Sequence, residues 1–433
     1  MKKNRLFVVT LILGGLLCLS SCASLFNDDD MEIHNSYNSI TFGSEEDPDA
    51  VKAGGVVGKE IEEVPNALCF KSISYATDGS ILNTYKVGGV NHTEYNVNNG
   101  EDYSSTKSKN NYDLYVPNSL NRDEKHTVIL FIHGGAWVSG FKTQVNQYVF
   151  EFANRGYITA TIKYSLLKRT MDDSSLSIFR NLDEIDACIK SIKSALNDLH
   201  FDTSKTNLVI GGASSGSHLA MLYAYSRGHS SALPIRFIVD AVGPVDIKPE
   251  NWKCFKSASD AVIDNGVTYE AIEAQKAADN LRDLPIAGEG ANWNEYQTMR
   301  IANGMCGIPY SLEDVENATD ENKTNITNPN AASISMTKDG GGEDQLSVTY
   351  WINHTTNRFP IICAYAGKDY IVGIAQYAKL EKALDDNGID HQLFYFRNSS
   401  HTSIGTDAES EGVAEKTAYK DFLDGIDAMG QSL

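Results

Sequence analysis

The chain has 433 residues, 42% hydrophobic and 22% charged, which is the length and composition of a globular protein able to bury a large core. Its 57 Asp and Glu against 37 Lys and Arg give a formal net charge of −20. That balance argues against nucleic acid as a partner, because phosphate binding needs clustered cations, and it disfavours anionic substrates.

The N-terminus carries Lys2, Lys3 and Arg5, then an apolar run of 14 residues from Leu6 to Leu19, then Ser20 and Ser21. The run is short for a membrane span and has the form of an export signal. Leu19-Ser20-Ser21-Cys22 resembles the bacterial lipobox, which implies a signal peptide over residues 1–21, lipidation of Cys22 and a membrane anchor; a plain secretory signal is the alternative. Several acyl chains on Cys22 would hold firmly where one holds marginally. Residues 22–63 contain eleven acidic and two basic residues and read as an acidic, flexible tether ahead of a folded domain spanning 64–433.

Within the domain, Lys71–Tyr75 reads as a lead-in strand. Tyr112–Val116, Thr127–His133 and Ile158–Tyr164 read as strands, the middle one nearly unbroken in its apolar character, as in strands buried on both faces. Leu182, Ile185, Ile189, Ile192, Leu196 and Leu199 repeat at helical spacing and form one stripe. Further strands are expected at Asn207–Gly211, Arg236–Val242, Phe359–Ala366 and His391–Phe396. Helices are expected at His218–Ala224, at Ile374–Asp386 with Gly388 as its cap, and around Tyr419, Phe422, Leu423 and Ile426. This alternation predicts the α/β class, with a mostly parallel, doubly wound sheet covered by helices on both faces.

Residues from about 249 to 357 break the alternation and read as a large insertion, either a surface elaboration or a cap over the site to which Trp252, Trp293, Tyr296 and Tyr310 could give apolar wall. Beyond the signal, Cys69, Cys188, Cys254, Cys306 and Cys363 show neither a zinc-ligand spacing nor a disulfide framework. Cys254 with Cys306 is one pair that could close in an oxidising compartment.

Three motifs carry chemistry. Gly212-Ala213-Ser214-Ser215-Gly216 sits between an expected strand and an expected helix, where Gly-x-Ser-x-Gly makes a sharp elbow that exposes a serine. A serine hydroxyl is a poor nucleophile near neutral pH, so it needs a base, an acid to orient the base, and backbone donors for the developing oxyanion. Asn398-Ser399-Ser400-His401 follows the last expected strand and offers His401 as base. Between serine and histidine, Gly367-Lys368-Asp369 offers Asp369 as acid, with Asp246 in Gly243-Pro244-Val245-Asp246 as competitor. His133-Gly134-Gly135-Ala136-Trp137 supplies a side-chain-poor loop. Oxyanion donors are expected from the Ser215 amide and from Gly134, Gly135 and Ala136. His218 rides the elbow's own helix and cannot swing back to Ser214.

These residues resemble the α/β-hydrolase fold, in particular esterases with a His-Gly-Gly-x-Trp oxyanion loop: acetylxylan and feruloyl esterases, general carboxylesterases and kynurenine formamidase-like enzymes. The resemblance covers roughly Tyr112 to Met429 outside the insertion, and it departs from the commoner elbow at Ala213 and Ser215. It implies a serine carboxylic-ester hydrolase that needs no cofactor or metal and acts on small or polysaccharide-linked acyl esters, and the N-terminal signal adds the expectation that it acts outside the cytoplasm, anchored to the bacterial membrane. Amide or formamide hydrolysis by the same residues, and a non-catalytic surface-binding lipoprotein of the same fold, are the competing readings.

Overall fold

Apolar runs with β-branched residues form the middle of a nine-stranded sheet in the computed structural model, which describes residues 50–75, 85–87, 90–92, 110–137, 140–166, 178–246, 346–367, 369, 372–396, 399–401, 404 and 413–432. The strands are β1 (Lys52–Ala53), β2 (Val56–Val57), β3 (Lys59–Ile61), β4 (Val64–Ser74), β5 (Tyr85–Val87), β6 (Val90–His92), β7 (Asn111–Pro117), β8 (His126–Ile132), β9 (Ile158–Lys163), β10 (Thr206–Ala213), β11 (Ile235–Ala241), β12 (Ile361–Ala366) and β13 (His391–Phe396). The main sheet runs in the order β13-β12-β11-β10-β8-β9-β7-β4-β3. Its six strands from β13 to β9 are parallel, and β7, β4 and β3 continue it antiparallel.

Alternation along each central strand feeds two cores. Val128, Leu130 and Ile132 of β8 face one, together with α2 (Ile178–Asp198), α3 (Ser215–Arg227), α4 (Val348–His354) and α5 (Ile374–Asp386). Ile129 and Phe131 face the other, with α1 (Asn146–Asn154) and α6 (Val413–Ser432). The expected stripe is buried in full, with Leu182 to Leu196 on α2 and Leu199 just past its end. Gly388 ends α5 at φ 62°, and its N–H donates to the Asp385 carbonyl (3.1 Å).

Two expected boundaries need correction. The tether does not run to residue 63: β1, β2 and β3 lie within it, β3 pairs with β4 in the main sheet, and Ala53 is fully buried. Glu60, Glu62 and Glu63 are exposed, so their charges mark the solvent side of an edge segment, a place where proteins often keep charge. The insertion likewise does not run to residue 357. Leu346, Val348 and Ile352 are core residues, and Val348 N–H donates to the Val245 carbonyl (2.8 Å), returning the chain beside its point of departure. The signal segment with Cys22, the four insertion aromatics, Cys254 and Cys306 lie outside the described residues.

Candidate active site

The strand order places a crevice at one point. The chain passes from β8 outward to β9, then returns to β10 on the other side of β8, so the loops after β8 and β10 leave the sheet side by side. Such reversals are where open α/β sheets bind ligands, at the carboxyl ends of the strands. Gly212 is in register with Ile132, which sets the turn at Ser214 next to His133. Ser214 has φ 54° and ψ −125°, a conformation that costs an L-residue about 1–3 kcal/mol. Its N–H donates to the Ala241 carbonyl (2.8 Å), and its carbonyl accepts from His218 N–H (3.1 Å) as α3 begins. A Cβ on residue 216 would fall 2.1 Å from the Ile132 carbonyl oxygen, so the second elbow glycine is required by backbone contact between β8 and α3.

The other two strand ends converge on the same edge. Asp369 follows β12 and is 2% exposed; its Oδ1 accepts from Val372 N–H (2.8 Å). His401 follows β13, with Nδ1 2.6 Å from Asp369 Oδ2 and Nε2 2.8 Å from Ser214 Oγ. A carboxylate only accepts, so Nδ1 carries the proton, and the Nε2 lone pair faces the serine hydroxyl. Carboxylate, imidazole and hydroxyl thus form one chain able to take the hydroxyl proton and stabilise the resulting imidazolium.

Asp246 is held elsewhere. Its Oδ2 pairs with the buried Lys379 ammonium (2.9 Å), its Oδ1 accepts from Ser347 Oγ (3.3 Å), and Gln376 Oε1 accepts the Val245 and Asp246 N–H groups (2.8 Å each). Gln376 and Lys379 of α5 therefore clamp the strand-end loop, a role their positions in sequence do not reveal.

The loop after β8 runs against Ser214. A Cβ built on Gly134 would lie 3.1 Å from Ser214 Cβ and 2.9 Å from the Ala213 carbonyl oxygen. Gly135, Ala136 and Trp137 follow with φ of 115°, 50° and 62°. The Ser215 amide belongs to the first turn of α3, where the helix supplies no acceptor of its own. Of six non-glycine residues with positive φ among the described residues, Ala136, Trp137, Ser214 and Val242 stand on these strand-end loops, so backbone strain is concentrated at the site.

The neighbouring histidines support rather than titrate. His133 stacks on Tyr164 (4.3 Å between ring centres), its Nδ1–H donates to the Gly134 carbonyl (2.8 Å), and burial pushes its pKa down to about 4. His218 packs edge-on to Trp137 (5.3 Å) and donates from Nε2 to the Leu346 carbonyl (2.8 Å); burial lowers it to about 4 as well. Beneath the elbow lies Asp240, which no sequence motif singles out. It accepts from Ser217 Oγ and from Gly243 N–H (2.8 Å), while burial outweighs those bonds and pushes its carboxyl up to about 6.

The BD-FAE family model matches residues 112–279, which include the loop after β8 and the elbow. The dienelactone hydrolase family model matches residues 349–432, which include Asp369 and His401. No curated protein sequence matches the chain. Among solved structures it is similar to a truncated carbohydrate esterase from gut microbiota, at 14% identity over 86% of this chain and 99% of that one, with a TM-score of 0.49. It is also similar to a bacterial heroin esterase (14% identity, 76% and 81% covered, TM-score 0.47) and to esterase B from Lactobacillus rhamnosis (14% identity, 82% and 88% covered, TM-score 0.46). With the BD-FAE model matched on one side of residues 280–348 and the dienelactone hydrolase model on the other, and with a mostly parallel sheet whose strand ends carry the elbow and its neighbouring loops, the chain has the α/β-hydrolase fold.

Proposed function

We propose that the protein is a serine esterase in which Ser214 attacks the ester carbonyl, His401 takes its proton, and Asp369 fixes the imidazole tautomer. The observation that carries this reading is the position of His401, within hydrogen-bond reach of Ser214 Oγ through one ring nitrogen and of Asp369 through the other. Attack makes a tetrahedral adduct whose oxyanion is met by amides from Ser215 and from the Gly134-Gly135-Ala136 loop. His401 then returns the proton to the leaving alcohol, and a water, activated by the same imidazole, releases the acid from the acyl-enzyme. No cofactor enters these steps.

The resemblance to acetylxylan and feruloyl esterases, joined to an export signal, directs the proposal to acyl esters outside the cytoplasm, polysaccharide-linked ones included. A panel of acetyl, feruloyl and longer acyl esters beside N-formyl amides tests it. Turnover of at least one ester class well above the formamides is expected; formamide turnover alone would contradict the ester assignment.

The Leu19-Ser20-Ser21-Cys22 segment supports attachment to the bacterial membrane through Cys22. The full-length protein is then expected in detergent and membrane fractions, with Cys22→Ala moving it to the soluble fraction at unchanged specific activity. Fatty acid still incorporated into Cys22→Ala would refute the lipidation site.

A further inference from the structure

The loop after β8 holds a costly backbone. Ala136 and Trp137 sit at φ 50° and 62°, between Gly135 at 115° and Gly140 at 102°. Conformations of this kind persist only where their surroundings over-determine them. The near end is fixed by β8 and by the His133–Tyr164 stack. The far end is fixed by Lys142, the first residue of a short 3-10 turn (Lys142–Val145) that leads into α1.

Lys142 Nζ donates to Asp113 Oδ1 (2.7 Å), Asn111 Oδ1 (2.5 Å) and Ser72 Oγ (2.9 Å), which occupies all three ammonium protons. Asp113 Oδ1 also accepts the N–H of Ser72 (2.7 Å), another positive-φ residue at 61°. The Asp113 side chain is 1% exposed and that of Lys142 13%. Asn111 and Asp113 belong to β7, and β9 lies between β7 and the strand that launches the loop, so the contact ties the loop's far end across a neighbouring strand. From there the chain presses back on itself. A Cβ on Gly140 would lie 2.3 Å from the Gly134 carbonyl oxygen and 2.7 Å from His133 Nδ1. A shift of Lys142 would therefore reach Gly134 through two residues and one tight backbone contact.

An ion pair this buried is a poor device for stability alone, because desolvation offsets most of the attraction and an apolar replacement often does as well. Its three directed bonds fix position instead. We propose that Lys142 is a positioning residue for the oxyanion-binding amides of Gly134, Gly135 and Ala136, set through the Lys142–Asp113–Ser72 contact; this rests on the serine-esterase reading above.

The test uses Lys142→Met and, since a lone buried Asp113 charge threatens folding, the double variant Lys142→Met with Asp113→Asn, which removes both charges. Active sites are counted by a fluorophosphonate taken to completion, and kcat per titrated site, KM, Tm and affinity for a boronic acid that forms a tetrahedral adduct are measured. Displaced amides act on the transition state, and small misplacements at a catalytic centre cost up to about a hundredfold. Both variants should lose about tenfold to a hundredfold in kcat per site with KM held within about threefold, and boronate affinity should fall in step. A lowered Tm with kcat per site and boronate affinity within about twofold of the parent would make the contact merely structural and overturn the proposal. An active parent enzyme that the probe never labels would overturn the serine-esterase reading, and this inference with it.

Discussion

Ser214→Ala is expected to lower ester hydrolysis by about 10⁴-fold or more while leaving the fold intact, because members of a catalytic triad act as a unit and the attacking oxygen is removed. Alanine accepts the elbow no worse than serine, since the strain lies in a backbone angle of φ 54° common to both residues. The substitution removes the hydrogen bond between Oγ and His401 Nε2, and it leaves the backbone bonds to Ala241 and from His218 in place. Turnover and circular dichroism on the same preparation check this. A folded Ser214→Ala protein with activity within about tenfold of the parent would remove Ser214 from the role of nucleophile.

The second large effect separates the two carboxylates. Asp369→Asn should keep the shape but cost up to about 10⁴ in turnover, since an amide beside Nδ1 no longer demands the tautomer in which Nε2 faces Ser214, and no longer stabilises the imidazolium. Asp246→Asn should behave in the opposite way. Its partner is the buried Lys379 ammonium, so the damage falls on stability, by about 3 kcal/mol for an ion left without its counter-charge. Turnover per folded molecule should change less than about tenfold, because Asp246 acts on the clamp between α5 and the strand-end loop. Urea midpoints and turnover of a simple acetyl ester distinguish the two. Near-normal turnover in Asp369→Asn beside a crippled but stable Asp246→Asn would move the acid to the end of β11.

Much of the framework is legible in the sequence because its signals are local. The bounds of β13 and α5 match the expected His391–Phe396 and Ile374–Asp386, since each is a periodic apolar segment closed by a turn residue. The elbow is legible because its glycines stand at fixed spacing about the serine; Gly212 is required by contact with Gly216 four residues on, whereas the contact that requires Gly216 comes from Ile132 on β8 and is not local. What the sequence does not show is partnership across distance. Chain order admits both Asp369 and Asp246 as the acid; only the fold brings Lys379, 133 residues on, against Asp246 and leaves Asp369 facing His401. The Lys142–Asp113 contact and the buried Asp240 under Ser217 are hidden for the same reason. Helix α1 is short, with Val149, Phe152 and Ala153 as most of its buried stripe, too little periodicity to stand out from the turn before it. The acidic count over residues 22–63 misleads at its C-terminal end because composition does not record that alternate residues of an edge segment face solvent.

The central claim, that Ser214 is the residue activated by His401, is tested most directly by locating the adduct of a fluorophosphonate on the intact protein. Peptide mapping by mass spectrometry should find one phosphonylated site, Ser214, absent in Ser214→Ala and formed far more slowly when His401 is replaced by Gln. An adduct on any other serine that tracks with loss of activity, or full activity with Ser214 phosphonylated, would contradict it.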